Sequence, residues 1–282
     1  MIPKVLHRTV KCFKKLRETK MGEYRRIWEG MGVEVKDYTN NDVDNYVESF
    51  LEKQDFEAYR KVIPTTLRTD IWRLCVLYRE GGVYTDIHIK PLSFLEALFD
   101  KNIDHVFVVD SMTNDKRAYN AFMMAKPGSM LIWTALQRAI LHIRERIYPF
   151  NVLDITGPGV LGLVLRKALN QKDKLIEGYH RVPEGSVLIF THVLCEVFGE
   201  QMETITYEEK PVFQCRYSDY RRDMMWIGCD SRYQNYFHHR MIYDDDLQVV
   251  KAFINTGSYH HVPISLRRIE LETEMMCEYS LI

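Results

Sequence analysis

Between Pro64 and Pro91 the chain runs PTTLRTDIWRLCVLYREGGVYTDIHIKP, and four of its side chains could do chemistry at close quarters: Asp70, Arg73, Asp86 and His88. Asp70 and Arg73 stand at i and i+3, so on a helix they are neighbours along one flank. A guanidinium donates two hydrogen bonds in a rigid fork, which suits phosphate. A carboxylate only accepts, which suits hydroxyl groups. Asp86 and His88 are alternate residues; on a strand they share a face with Cα atoms roughly 6.5–7 Å apart. That spacing lets both reach one ion or one diphosphate. Singly, each pair has a plainer reading, as a surface ion pair of little worth or a chance Asp-x-His on an exposed strand. Joined through one glycine stop, the two pairs are more specific.

The elements that must position these groups are legible around them. Thr65 or Thr66 can cap a helix just after Pro64. Leu67, Ile71, Leu74, Cys75 and Tyr78 recur at helical spacing and give one apolar stripe. Gly81-Gly82 stops the helix, because glycine takes the left-handed conformation cheaply. Val83 to Ile89 then alternates: Val83, Thr85, Ile87 and Ile89 on one face, Tyr84, Asp86, His88 and Lys90 on the other. Alternation therefore puts His88 with Asp86 and not with the apolar face. Pro91 ends this strand, so the pair is expected at a strand's carboxyl end, where open α/β sheets bind ligands.

Further strands are predicted at Gly32–Tyr38, His105–Val109, Asn120–Ala125 and Ser186–Thr191, with a short apolar run at Ile2–Leu6. Helix-favouring stretches cover Asn41–Arg60, Ser129–Ile147 with Ser129 as N-cap, and Val160–Leu169. Strands alternating with helices predict an α/β fold, one domain over residues 1–282. Residues from about 200 to 282 form a less defined C-terminal elaboration. Its aromatic-rich part, Cys215–Tyr243, yields no assignment and is expected to cover one end of the sheet.

The 282 residues are 46% hydrophobic and 27% charged, ordinary for a globular chain with a sizeable core. A formal net charge of −1 gives no overall case for nucleic acid or an anionic membrane. Lys11, Lys14, Lys15, Arg17 and Lys20 cluster early, as a solvated face would. No apolar run approaches the roughly 20 residues of a membrane span, and MIPKVLHRTV lacks the long apolar core of a signal peptide. A cytoplasmic location is the default expectation. The six cysteines are scattered without a CxxC pair and read as reduced thiols.

The block RTDIWRLCVLYREGGVYTDIHI resembles the motif region of the DXD-containing, sugar-binding glycosyltransferases of family 32. Asp70, Arg73, Gly81, Gly82, Tyr84 and Asp86 match in order and spacing. IPKVLHRTV resembles the family's first strand, with His7 in the expected place. YNAFMMAKPGSMLIWTAL resembles its Asn-apolar-Ala-x-Pro-Gly segment and places Asn120. TGPGVLG matches its Thr-Gly-Pro turn at Thr156, Gly157 and Pro158. The likeness runs from residue 2 to about 165; beyond that only YFHHRMIY resembles a C-terminal aromatic-Arg segment. The resemblance implies a GT-A-type, Rossmann-like mixed sheet flanked by helices, and a retaining hexosyltransferase. It implies a nucleotide diphosphosugar donor (a UDP-sugar favoured, a GDP-sugar open), a glycan or other hydroxyl acceptor, and a divalent metal, Mn2+ or Mg2+. Carried over, Asp70 and Arg73 contact donor sugar and nucleotide. Asp86 contacts ribose and metal shell, Tyr84 belongs to the donor site, His7 lies on the strand lining the nucleotide pocket, and Asn120 lies near the transferred sugar. Arg73 and Asp86 are the catalytic candidates.

His88 departs from that pattern, standing where the family's second Asp ligates the metal. Three readings follow: His88 is the ligand beside Asp86, it serves a metal-free diphosphate as a cationic donor, or the enzyme is crippled. The first is favoured; imidazole is an acceptable, softer ligand for such ions. A third ligand is sought at His238, His239, His260 or His261, each of which has a plainer reading as a surface histidine. Trp28 and Trp226 could stack on a base or sugar, with core packing the stronger expectation. No compelling nucleophile is found; Asp110 is the one candidate carboxylate, with a surface strand-end reading preferred, and leaving-group-assisted attack needs none. Two other classes remain: a nucleotide-sugar-binding protein without transferase activity, and another α/β nucleotide enzyme, weakened by the absence of a GxGxxG loop after the first strand.

Overall fold

Strand β1 (Val5–Thr9) pairs in parallel with β2 (Glu34–Tyr38) on one side and β3 (Gly82–Thr85) on the other. This is the opening half of a mixed sheet in a computed structural model that describes residues 1–92, 96–99, 102–197, 200–229 and 233–245. The remaining strands are β4 (Lys90–Pro91), β5 (His105–Val109), β6 (Phe122–Ala125), β7 (Gly178–Val182), β8 (Gly185–Val197), β9 (Glu200–Tyr207) and β10 (Lys210–Gln214). The sheet order is β2-β1-β3-β6-β5-β8-β9-β10-β4, with β7 paired to β8. β6 is antiparallel to both β3 and β5, so β1, β3 and β5 run the same way. Their carboxyl ends, at Thr9, Thr85 and Val109, share one edge. β4 follows β3 by only four residues yet pairs with β10 at the far end of the order. The sheet therefore curls until its last strands return beside β3.

Helices flank this sheet: α1 (Phe13–Leu16), α2 (Met21–Gly30), α3 (Asn40–Phe50), α4 (Lys53–Arg60), α5 (Thr65–Arg79), α6 (Met130–Arg144), α7 (Pro158–Ala168), α8 (Tyr220–Ile227) and α9 (Tyr233–His238). The mixed α/β architecture expected from the alternation is thus present. The principal core lies between the sheet and α3, α5, α6 and α7 and holds Ile71, Trp72, Leu74, Ile132, Leu136 and Leu165. On the other face Trp28 stacks on Phe213, with ring centroids 5.9 Å apart, over Val83 and Phe122. Each large apolar side chain so buried contributes roughly 1.5–3 kcal/mol.

Helix α5 is buried on more than its stripe: Asp70 and Arg73 are inside with Leu67, Ile71, Leu74 and Leu77. Pro64 takes its cap position without a side-chain bond, so neither threonine caps it; Thr69 instead donates to the Thr65 carbonyl at 2.9 Å. Ser129 does cap α6, accepting from the Ile132 amide at 3.3 Å. Gly82 holds φ +95°, and a Cβ there would lie 2.5 Å from the Val5 carbonyl oxygen, so the chain can turn from α5 into β3 only at a glycine.

Three expectations change. The stretch Asn41–Arg60 is two helices, broken at Leu51, whose backbone is extended. The strand expected over Val83–Ile89 ends at Thr85, and Asp86 to Ile89 form a turn closed by the Ile89 amide on the Asp86 carbonyl at 3.1 Å. The late strand expected at Ser186–Thr191 runs on to Val197 and folds back as a hairpin with β9. Among the described residues no helix is long and apolar enough to cross a membrane.

Candidate functional site

Helix α5 carries Asp70 and Arg73 to the carboxyl edge of the sheet, where they meet groups from three other elements. Asp70 Oδ1 accepts from Asn120 Nδ2 at 2.9 Å, and Oδ2 from Thr156 Oγ1 at 3.0 Å. Arg73 Nη2 lies 3.2 Å from Asp70 Oδ1, and Nη1 donates to the Asn120 carbonyl at 2.5 Å. The plainer reading of this pair, as a surface ion pair, therefore fails: both side chains are buried. Burial pushes the Asp70 carboxyl up, against the pull of Arg73, Thr156 and Asn120. Burial also opposes the charge on Arg73, but Tyr84, Asp70 and Asp86 outweigh it and hold the guanidinium firmly protonated.

Tyr84 and Asp86 extend this cluster outward. The Tyr84 hydroxyl donates to Asp86 Oδ1 at 2.6 Å, and Arg73 Nη2 stands 3.9 Å from the same oxygen. The side chain of Asp86 is 33% exposed against 10% for Asp70 and 5% for Arg73, so Asp86 is the member that opens to a ligand. Behind them the Thr156-Gly157-Pro158 turn closes in. A Cβ at Gly157 would stand 2.8 Å from Asp70 Oδ2 and 3.2 Å from Asn120 Nδ2, so this close approach requires glycine. Five of the expected residues, Asp70, Arg73, Tyr84, Asp86 and Asn120, thus form one contiguous cluster.

His88 is close by but not as the alternation implied. The turn after Thr85 buries it, at 5% exposure, with its ring 4.7 Å from that of Tyr220 on α8. Burial lowers its pKa, only partly offset by Asp86, so the imidazole is neutral. Its Nδ1 is buried with no hydrogen-bond partner. An orphaned buried nitrogen next to a half-open carboxylate fits a metal ligand better than a packed core histidine, and neutral imidazole is the ligating form. Among the described residues no three His, Cys, Asp or Glu side chains converge to hold an ion. Asp86 and His88 thus offer two donors at most, and the remaining positions would fall to ligand oxygens and water, as is common for hard cations bound with phosphate.

His7 is not in the cluster. Both its ring nitrogens are engaged, Nδ1 with Tyr38 Oη at 3.2 Å and Nε2 with the Gly81 carbonyl at 3.1 Å, and it ties β1 to the turn that ends α5. Burial lowers its pKa to about 4. Asp110 is not the surface residue expected: it is 4% exposed, takes the Thr113 hydroxyl at 2.5 Å and lies 3.4 Å from His192 Nδ1, which leaves it unsuited as a nucleophile. His238 and His239 are exposed, while His260 and His261 lie outside the described residues. Trp28 is core. Trp226 is half-exposed, donating to Glu18 Oε2 at 3.1 Å under Lys15.

Sequence reasoning missed what the unassigned region contributes. Tyr220 on α8 packs on His88, and Tyr233 on α9 lies within electrostatic reach of Asp70 and Asp86. A cleft of about 100 Å3 lined by Lys11, Ile63, Pro64, Thr65, Thr66, Tyr233 and Tyr236 lies at the N-terminus of α5. The tyrosine-rich composition was a signal, but nothing in the spacing showed which edge it would cover.

Residues 8–108 match the protein family described as the glycosyltransferase sugar-binding region containing a DXD motif. The match covers about a third of the chain and makes this stretch similar to the sugar-binding region of the glycosyltransferases. The match spans α5, the glycine stop and the Asp86-Ile87-His88 turn, where this chain has His88 in the position of the motif's second Asp. No curated protein matches it. Among solved structures it is similar to one titled PaToxG Glycosyltransferase, at 19% identity and a TM-score of 0.39, over 61% of this chain and 71% of that one. Members of the family generally use a divalent metal.

Proposed function

We propose that this chain is a glycosyltransferase that moves a hexose, with retention, from a nucleotide diphosphosugar to a hydroxyl of a glycan or similar acceptor, with a UDP-sugar favoured over a GDP-sugar. The observation that carries the reading is the hydrogen-bonded Asp70–Arg73–Asn120–Thr156 cluster behind a partly exposed Asp86 at the carboxyl edge of the sheet. Breaking the bond from the anomeric carbon to phosphate oxygen leaves a diphosphate, so positive charge must be preorganised where that charge grows. Arg73 is preorganised: its fork is locked by Asp70 and the Asn120 carbonyl, and its face by Tyr84. Asp70 and Asn120 orient sugar hydroxyls, and Asp86 takes ribose hydroxyls with its open oxygen. Asp86 and His88 would hold a divalent ion, Mn2+ or Mg2+, which supplies Lewis-acid neutralisation of the diphosphate when bound. With Asp110 occupied by Thr113 and His192, attack assisted by the leaving group from the same face needs no enzyme nucleophile. The domain is taken as one unit over residues 1–282, in a cytoplasmic setting.

A second reading, a nucleotide-sugar-binding protein of weak or no transferase activity, is favoured by one observation: the buried turn leaves His88 where a carboxylate ligand belongs. Turnover separates the two. Release of nucleoside diphosphate from a panel of UDP- and GDP-sugars, followed with Mn2+ and with chelator, should show metal-stimulated release for one donor at least tenfold above an Asp86→Asn variant. Donor binding with no release under any condition would leave the second reading standing.

A further inference from the structure

A row of alternating charges runs from inside the curled sheet to the mouth of the site and ends at Arg216. Asp110, at the end of β5, lies 3.4 Å through Oδ1 from His192 Nδ1. His192 Nε2 lies 3.1 Å from Glu203 Oε1, as an ion pair without hydrogen-bond alignment. Glu203 Oε2 holds Arg216 Nη1 at 2.9 Å. The His192 ring is 2% exposed and stacks on Tyr119, the neighbour of Asn120, with centroids 3.9 Å apart. None of these residues carries a match to the central sequence block, and the chemistry described so far does not use them.

Register explains where the row ends. β10 pairs antiparallel with β4, Phe213 opposite Pro91 and Gln214 opposite Lys90. Arg216 follows β10 by two residues and meets the Asp86–Ile89 turn through Tyr220. The guanidinium lies 5.5 Å from the Tyr220 ring centroid, and the same ring lies 4.7 Å from that of His88. Gln214 Nε2 anchors the Arg216 carbonyl at 3.1 Å. The Arg216 side chain is 45% exposed, and among the described residues Glu203 is the one carboxylate within ion-pair distance. Beside it sits the buried, unpartnered Nδ1 of His88. Arg216 thus keeps donor capacity beyond the one carboxylate it pairs with, and an oxyanion is what would take it up.

We infer that Arg216 is a diphosphate-binding residue, its fork meeting the donor's diphosphate at the His88 corner, with His192 and Glu203 as positioning residues that hold it there. This rests on the proposed function. An arginine is suited to the task because its planar fork takes two phosphate oxygens at once, while Glu203 fixes the plane. His192 keeps Glu203 ionised and aimed; burial disfavours its charge, but Asp110, Cys215 and Glu203 outweigh that and raise its pKa to about 11. Removing His192 should free Glu203 to collapse onto Arg216 and withdraw the fork.

Calorimetric titration of the full chain, in Mn2+, with UDP and GDP and with UMP and GMP, tests this. For the nucleotide that binds, Arg216→Gln should weaken the diphosphate at least tenfold and the monophosphate less than twofold. Arg216→Lys should fall between. His192→Asn should weaken the diphosphate alone and add nothing in the double variant with Arg216→Gln, as expected of residues acting through one another. Equal binding of the diphosphate by wild type and Arg216→Gln would overturn the inference and leave the proposed function intact. Equal loss of diphosphate and monophosphate, with a lowered melting temperature, would mark Arg216 as structural and also overturn it. Failure of the wild type to bind any of the four would overturn both.

Discussion

The guanidinium carbon of Arg73 lies 4.2 Å from the centroid of the Tyr84 ring, over the ring in a space where both side chains are buried. One residue comes from α5 and the other from β3, and the glycine pair between them makes the approach possible. The stack orients the fork toward Asp70 and the Asn120 carbonyl, while the Tyr84 hydroxyl takes Asp86. Removing Arg73 leaves the buried Asp70 carboxylate without its cation, so Arg73→Ala should cost about 3–5 kcal/mol. Tyr84→Phe keeps the ring and loses one exposed-side hydrogen bond, about 1 kcal/mol. Denaturant unfolding with donor turnover should show Arg73→Ala both unstable and inactive, and Tyr84→Phe stable but slower by about tenfold. This assignment of Tyr84 fails if the Phe variant turns over like wild type.

Gly157 presses on Asp70 and Asn120 from behind. Alanine there puts a methyl 2.8 Å from Asp70 Oδ2, where a hydrogen-bonded carboxylate must give way. Gly157→Ala should raise KM for the donor at least tenfold and cost about 1–3 kcal/mol of stability, as overpacking does. Steady-state kinetics on the folded variant reads the first, and thermal unfolding the second.

These two residues show how unevenly the sequence discloses the site. Asp70, Arg73, Tyr84 and Asp86 were legible because helix period, glycine stop and strand alternation act within twenty residues of each other. His88 was misplaced because alternation holds only while the strand lasts. Ile87 is drawn to the cluster of Val10, Leu16 and Met21 and Ile89 to that of Trp28 and Phe213, and serving both turns the chain after Thr85. Arg216, His192 and Glu203 were invisible for another reason. They meet through sheet curl, which brings β10 beside β4 across more than a hundred residues, and no local pattern encodes that return.

His7 makes stability depend on pH. Its pKa is near 4 in the fold, chiefly through burial, against 6.5 in the unfolded chain. Between these values the unfolded state binds the extra proton, so stability rises with pH. The contribution is fully present above about 6.5 and is lost as pH falls toward 4, by about 3 kcal/mol in all. Urea unfolding of wild type between pH 7 and 4 should show this slope. In His7→Gln, which retains hydrogen-bonding capacity, the slope should flatten by the same amount; an unchanged slope would contradict the assignment.

His192 behaves in the opposite sense. Its folded pKa is raised to about 11, so its stabilising contribution is present below about 6.5 and is lost as pH rises through the folded value. Nitrogen chemical shifts in histidine-labelled protein at pH 8 should show one imidazole with both nitrogens protonated, and that signal should vanish in His192→Asn. A neutral tautomer at pH 8 would break the charge row at its centre.

The central claim is that the Asp70–Arg73–Asp86 cluster, with His88 beside it, receives a nucleotide diphosphosugar. Its most direct test is calorimetric titration of UDP- and GDP-sugars into the wild-type chain, first with Mn2+ and then with chelator. The account predicts saturable binding of one nucleotide class, weakened at least tenfold by chelator and by Asp86→Asn. Absence of binding by every nucleotide sugar, with and without Mn2+, would contradict it.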